Sequence, residues 1–192
     1  VDYNAVFAVV VTAVGAAGVI TSMIWCWGRR ITAVQADPIL IKLARAGSLV
    51  RILKLAATAP NSYLDVYVEA IRAGEAVVRD QGQRDPIAIA AATHPAFEAR
   101  AAELQRAWNQ ASLRGIAGAL LAGAGLYVAY HIGFTPMALR MAGGLGALGG
   151  VWFIVHLTDV YRAVNRGRDE VLPELDKALS GNQPAAEVES DA

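Results

Sequence analysis

Charge is missing from three long stretches of this chain. Residues 5–27 (AVFAVVVTAVGAAGVITSMIWCW), 115–134 (GIAGALLAGAGLYVAYHIGF) and 141–158 (MAGGLGALGGVWFIVHLT) hold no Asp, Glu, Lys or Arg. Without an acid or base inside them, they supply no carboxylate relay across a bilayer. No proline falls inside them either, which argues against the broken helices and midplane sites of a small-solute transporter. Cysteine is confined to Cys26, so an internal disulfide, a C-x-x-C pair and a zinc framework are excluded. Cys26 reads as a small residue at a helix interface, with lipidation as the alternative. Net charge is absent as well: 17 basic and 17 acidic residues balance, leaving no global case for nucleic acid or an acidic ligand.

What remains is a chain of 192 residues, 55% hydrophobic, too apolar for a soluble single domain and too charged to lie wholly in a membrane. Each uncharged run can span a hydrocarbon core of about 30 Å at about 1.5 Å per residue, the third with its ends extended by snorkelling. The expected fold class is an all-α integral membrane protein. Transmembrane helices at 5–27, 115–134 and 141–158 flank a helical cytoplasmic region at 28–114, followed by a cytoplasmic extension at 159–180 and a disordered acidic tail at 181–192. Of the 17 basic residues only Arg140 lies in the hairpin between the second and third runs. The positive-inside rule therefore puts both polar parts in the cytoplasm and the N-terminus outside. Arg29-Arg30 follows the first run instead of preceding it, the order of an anchored span and not of a cleaved leader.

Start and stop signals divide the polar region. Asp37-Pro38 is expected to open a helix that runs to about Thr58, before Ala59-Pro60. Ser62 with Asp65 resembles a capping box for the next, which Gln81-Gly82-Gln83 breaks. Asp85-Pro86 opens a short helix, and His94-Pro95 opens a long one to about Ile132. Phe134-Thr135-Pro136 turns the chain into the third span's helix, which Pro173 interrupts; a short helix then ends at Gly181. Lys42, Arg45, Arg51 and Lys54 make a basic stretch that attracts anionic headgroups without requiring a specific site.

Along the long helix Phe97, Ala101, Leu104, Trp108, Ala111, Gly115, Gly118, Ala122, Gly125 and Ala129 recur at alternating spacings of four and three, a heptad stripe. Bulky residues form it among charged neighbours, and only Gly and Ala form it from Gly115 onward. That change is the one expected on passing from water, where apolar bulk drives association, into lipid, where close backbone approach does. Ala8, Thr12, Gly15, Gly18, Ser22 and Cys26 make a similar face on the first span, and Ala142, Gly146 and Gly150 on the third. One protomer does not readily satisfy so many small faces, so a homo-oligomer is expected.

Chemistry is sparse. GLGALG at 144–149 has the form of a dinucleotide fingerprint but lies mid-span, away from the strand and exposed helix start that pattern needs. A polar membrane site is conceivable from Tyr130, His131, His156, Thr158 and Asp159, of which His156 and Asp159 share a helical face. The competing reading makes Tyr127 and Tyr130 an interfacial belt and sets Asp159 at headgroup level. His131 and His156 fall at opposite ends of their spans and so cannot share a metal. No nucleophilic triad or acid pair assembles; neither enzyme activity nor a cofactor is expected.

The order of one span, a basic pair, a helical cytoplasmic segment and a hairpin of two long helices resembles the MotA/TolQ/ExbB proton-channel family. The stretch from Ala99 to Tyr130 (ARAAELQRAWNQASLRGIAGALLAGAGLYVAY) is similar in character to that family's second membrane helix. The resemblance implies an oligomeric inner-membrane subunit, a ring of copies around single-span partner helices, with the partner bringing the proton-carrying acid that this chain lacks. It departs from the family at Ala117 to Tyr130, where tyrosine is the sole hydroxyl. The alternative is a membrane anchor or assembly scaffold that recruits a partner through its cytoplasmic helices, without transport.

The topology has a direct test. In a Cys26→Ser background, an impermeant maleimide is expected to label Arg106→Cys and Tyr130→Cys from opposite sides of the membrane; labelling of both from one side contradicts it.

Overall fold

The computed structural model describes residues 2–27, 33–60, 62–82 and 84–181. Arg29-Arg30, Gln83 and the tail at 182–192, on which three of the sequence expectations fall, lie outside the described residues. The described chain is all-helical, with no strand. Its helices are α1 (Tyr3–Trp27), α2 (Ala33–Arg45), α3 (Leu49–Ala57), α4 (Asp65–Gln81), α5 (Pro86–His131), α6 (Met137–Arg166) and α7 (Leu172–Ser180), with a π turn at Gly167–Val171 between the last two. Three stretches are long and apolar enough to cross a membrane: α1, α5, and the run from Met137 to Ser180. The residues group into two units, one of Val1–Gly28 with Arg106–Val160 and one of Arg29–Gln105 with Tyr161–Ala192.

The first unit is built from small residues. Its interior holds Ala8, Thr12, Gly15, Gly118, Ala122, Gly125 and Ala129, while Val10, Val14, Leu120, Leu148, Val151 and Ile154 are exposed. A Cβ placed on Gly15 would stand 2.5 Å from the Gly118 carbonyl oxygen, and one on Gly118 would stand 2.7 Å from the Gly15 carbonyl oxygen. α1 and α5 therefore touch backbone to backbone. α6 closes on α5 in the same way: a Cβ on Gly146 would meet the Ala122 methyl at 2.7 Å, and one on Gly150 the Ala119 methyl at 3.0 Å. The Phe153 ring covers Gly115. Thr12 donates its hydroxyl to the Ala8 carbonyl at 2.8 Å, which satisfies a polar atom without a second helix. Branched side chains outside and glycine inside is the arrangement suited to a surrounding solvent as apolar as a protein core.

The second unit follows the opposite rule. Leu40, Ile52, Tyr67, Ile71, Ile89, Phe97, Leu172 and Leu175 are each at most 1% exposed and form its core. α7 lies on α2 and α4, and the Leu179 side chain occupies the space above Gly74.

Three expected boundaries are corrected. Residues 37–58 are not one helix: α2 begins at Ala33, so that Pro38 lies inside it, and the chain breaks at Gly47 (φ 64°). There Gly47 N–H bonds Ala44 carbonyl at 2.9 Å and Ser48 N–H bonds Leu43 carbonyl at 2.9 Å, a Schellman cap that a left-handed glycine permits. Pro95 does not start a helix; it sits within α5, which runs unbroken for 46 residues, about 69 Å at 1.5 Å per residue. Proline removes one backbone donor there, but Thr93 and His94 in the preceding turn are tied to Asp176 of α7 at 2.6 and 3.0 Å. Pro173 likewise sits in the first turn of α7, where its missing N–H costs little, and the irregularity is the π turn before it.

The backbone contacts make a paired prediction. Gly118→Leu is expected to lower the thermal unfolding midpoint in detergent, with a loss of about 1–3 kcal/mol from overpacking. Gly123 has no atom within 4 Å of its Cβ position, so Gly123→Ala is expected to be neutral or slightly stabilising.

Candidate functional site

All ten residues of the heptad stripe are buried, from Phe97 and Leu104 through Trp108, Gly115, Gly118, Ala122 and Gly125 to Ala129. Gly146 is buried and Gly150 half-buried. Within the first unit these small faces pack largely against the chain's own helices, with Gly18, Ala142 and Gly150 half-buried.

The five polar residues of the conceivable membrane site are not brought together. Tyr130 and His131 are exposed, with the His131 ring 4.1 Å from Tyr127 and 6.0 Å from Tyr130. Thr158 returns its hydroxyl to its own helix, at the Ile154 and Val155 carbonyls, and Asp159 is exposed. His156 alone turns inward. It stacks on Trp152 (4.7 Å, 23°) and meets Trp108 edge-on (4.8 Å), and Trp108 in turn meets Trp25 at 5.6 Å. This aromatic group places the imidazole as a packing element. Among the described residues no group of three His, Cys, Asp or Glu side chains could hold a metal.

The second unit contains the polar constellation that sequence reasoning missed. Asp37 was read as an N-cap, but α2 starts a full turn earlier, and the carboxylate is 2% exposed. It lines a cleft of about 480 Å³ together with Pro38, Ile41, Lys42, Arg45, Arg166 and Glu170. Neither carboxylate oxygen makes a full hydrogen bond among the described residues, and the Tyr63 hydroxyl is the group that acts on it as a donor. The Tyr63 hydroxyl beside it donates to the Ala163 carbonyl at 2.8 Å and contacts the Tyr67 hydroxyl. Gly167, the first residue of the π turn, lies over both hydroxyls, where a Cβ would collide with them. Of the cations in the cleft, Arg45 is held by Glu174 at 3.2 Å and Arg166 by Glu170 at 3.8 Å. Lys42 has no ion pair among the described residues.

Burial sets the electrostatics here. Removal from water pushes the Asp37 carboxyl up to about 6; the Tyr63 hydroxyl and Arg166 pull it down, and Glu170 adds to the rise. Both tyrosine hydroxyls are pushed up, chiefly by burial, and stay protonated. Legible signals did exist: Tyr63 and Tyr67 stand four apart on one helical face, and Asp37-Pro38 had an alternative to capping. Neither says that Arg166 and Gly167, more than a hundred residues away, complete the group.

No family model, no curated protein and no solved structure matches this chain.

The buried carboxyl predicts a pH signature. Its folded value of about 6 exceeds the ordinary 3.8, so between these values the folded state binds more protons and stability falls as pH rises. Asp37→Asn is expected to flatten that slope in thermal melts between pH 4 and 7, and to stabilise the fold at pH 7 by about 1–3 kcal/mol. A variant with an unchanged slope contradicts the assignment.

Proposed function

We propose that this chain is an inner-membrane subunit, with its polar helices in the cytoplasm, that acts as the oligomeric scaffold of a proton-driven energy-coupling complex like those of the MotA/TolQ/ExbB proteins it resembles. The observation that carries the reading is α5: one unbroken helix, longer than a bilayer is thick, whose buried stripe changes from Phe, Leu and Trp to Gly and Ala where its flanks lose their charge. Such a rod suits the transmission of movement between lipid and water. The uncharged spans complement it, since a chain without an intramembrane acid needs a single-span partner to bring one. Lipid and further copies of the chain are the other proposed partners.

A second reading, a membrane anchor that recruits a soluble partner without transport, is favoured by the closure of the small faces within the chain. Native mass spectrometry in mild detergent separates these readings. The scaffold is expected as homo-oligomers, alone or around a single-span companion, and exclusively monomeric species overturn it. Vesicles holding such a complex are expected to pass protons when the companion is present; an anchor passes none.

A further inference from the structure

Two groups of opposite charge, Asp37 and Lys42, line one cleft without an ion pair between them. Asp37 is 2% exposed, and its two carboxylate oxygens make no full hydrogen bond among the described residues, with the Tyr63 hydroxyl as the one donor acting on them. A buried acceptor that gives up water without full replacement is costly, and a further donor would offset that cost. Lys42 follows five residues later on α2 and lines the same cleft. Its ammonium forms no ion pair with Asp37 or with any other described acid. Arg45 and Arg166 are each held by a glutamate, yet each guanidinium has five N–H donors, more than that pairing uses, and both residues line the cleft. The lining carries three cations against two carboxylates, and its volume of about 480 Å³ lies in the range of small-molecule sites.

A simple cation is a poor match, because three basic groups repel it. A simple anion is poor too, because it would face Asp37. A ligand with both signs a few bonds apart answers both ends. We propose that this cleft binds an aminoalkyl phosphate group, its ammonium donating to Asp37 and its phosphate accepting from Lys42, Arg45 and Arg166. Phosphate is preferred to carboxylate because three cations surround the anionic end, and Arg offers paired donors to its oxygens. The group can arrive as free phosphoethanolamine or as the headgroup of phosphatidylethanolamine. This inference stands independently of the scaffold reading.

The ammonium end is governed by Asp37, and the groups around that carboxyl are Lys42 and Arg45 on α2, Tyr63 in the turn before α4, Tyr67 on α4, Arg166 at the end of α6 and Glu170 in the π turn. Of these Asp37 is the one displaced into the neutral range, by burial. Protonation removes its charge, so binding is expected to weaken as pH falls below about 6.

The test is calorimetric titration of the full chain in phosphatidylcholine nanodiscs. Phosphoethanolamine is expected to bind saturably at one site, at least about tenfold more tightly than glycerol phosphate, which lacks the ammonium, or ethanolamine, which lacks the phosphate. Asp37→Asn and Lys42→Gln are each expected to weaken it about tenfold or more, and Asp37→Asn also to abolish the pH dependence. Asp37→Asn removes a buried charge and Lys42→Gln alters an exposed side chain, so both variants are expected to fold. Competition by nanodiscs containing phosphatidylethanolamine supports the proposal with the lipid as source; unchanged affinity there supports it with the soluble form as source. Equal binding of glycerol phosphate, indifference to Asp37→Asn, or no saturable binding overturns it.

Discussion

The close approach of α1 and α5 at Gly15, Gly118 and Gly125 is the constraint from which the apolar unit follows. Backbone meets backbone there, so dispersion contacts accumulate along the whole crossing with no side chain between. Larger residues at those positions would hold the helices apart, and Phe153 could not then lie over Gly115. Because the interior is filled by glycine and alanine, the valines and leucines have nowhere to go but outward. In water that outward face would be a liability. Against lipid it costs nothing, and the absence of charge from all three runs is the same fact seen from the other side.

The polar unit solves a different problem with ordinary means. Leucine, isoleucine and aromatic side chains are withdrawn from water between α2, α4 and α7, which is the burial that stabilises soluble domains. Ion pairs such as Arg168 with Glu98 and Arg45 with Glu174 lie at its surface, where each contributes little alone. Asp37 breaks the pattern. A carboxyl buried beside two tyrosine hydroxyls is a local cost that packing elsewhere sustains, and costs of that kind are enriched at binding sites.

The two units differ in the chemistry they carry. The apolar one has the composition of a packing element: its buried His156 stacks on Trp152 and meets Trp108 edge-on, and Thr12, Thr21 and Thr158 return their hydroxyls to their own helices. The polar unit carries a cleft where a buried carboxyl and three basic side chains converge.

How much could be read in advance differs between these units for a physical reason. Membrane-length runs, their lack of charge and the heptad stripe from Phe97 to Ala129 depend on local composition and on the 3.6-residue period, so they are written along the chain. Helix ends were less legible. Gly47 ends α2 because its left-handed backbone lets two carbonyls be capped, whereas Pro95 fails to end α5 because Asp176 holds the turn before it from another helix. The Asp37 cleft was not legible at all: an Asp-Pro pair reads as a cap until the chain brings Tyr63, Arg166 and Gly167 beside it. Residues near in sequence reveal which solvent a segment belongs to, but which groups share a cavity depends on contacts made across a hundred residues, and no local pattern encodes them.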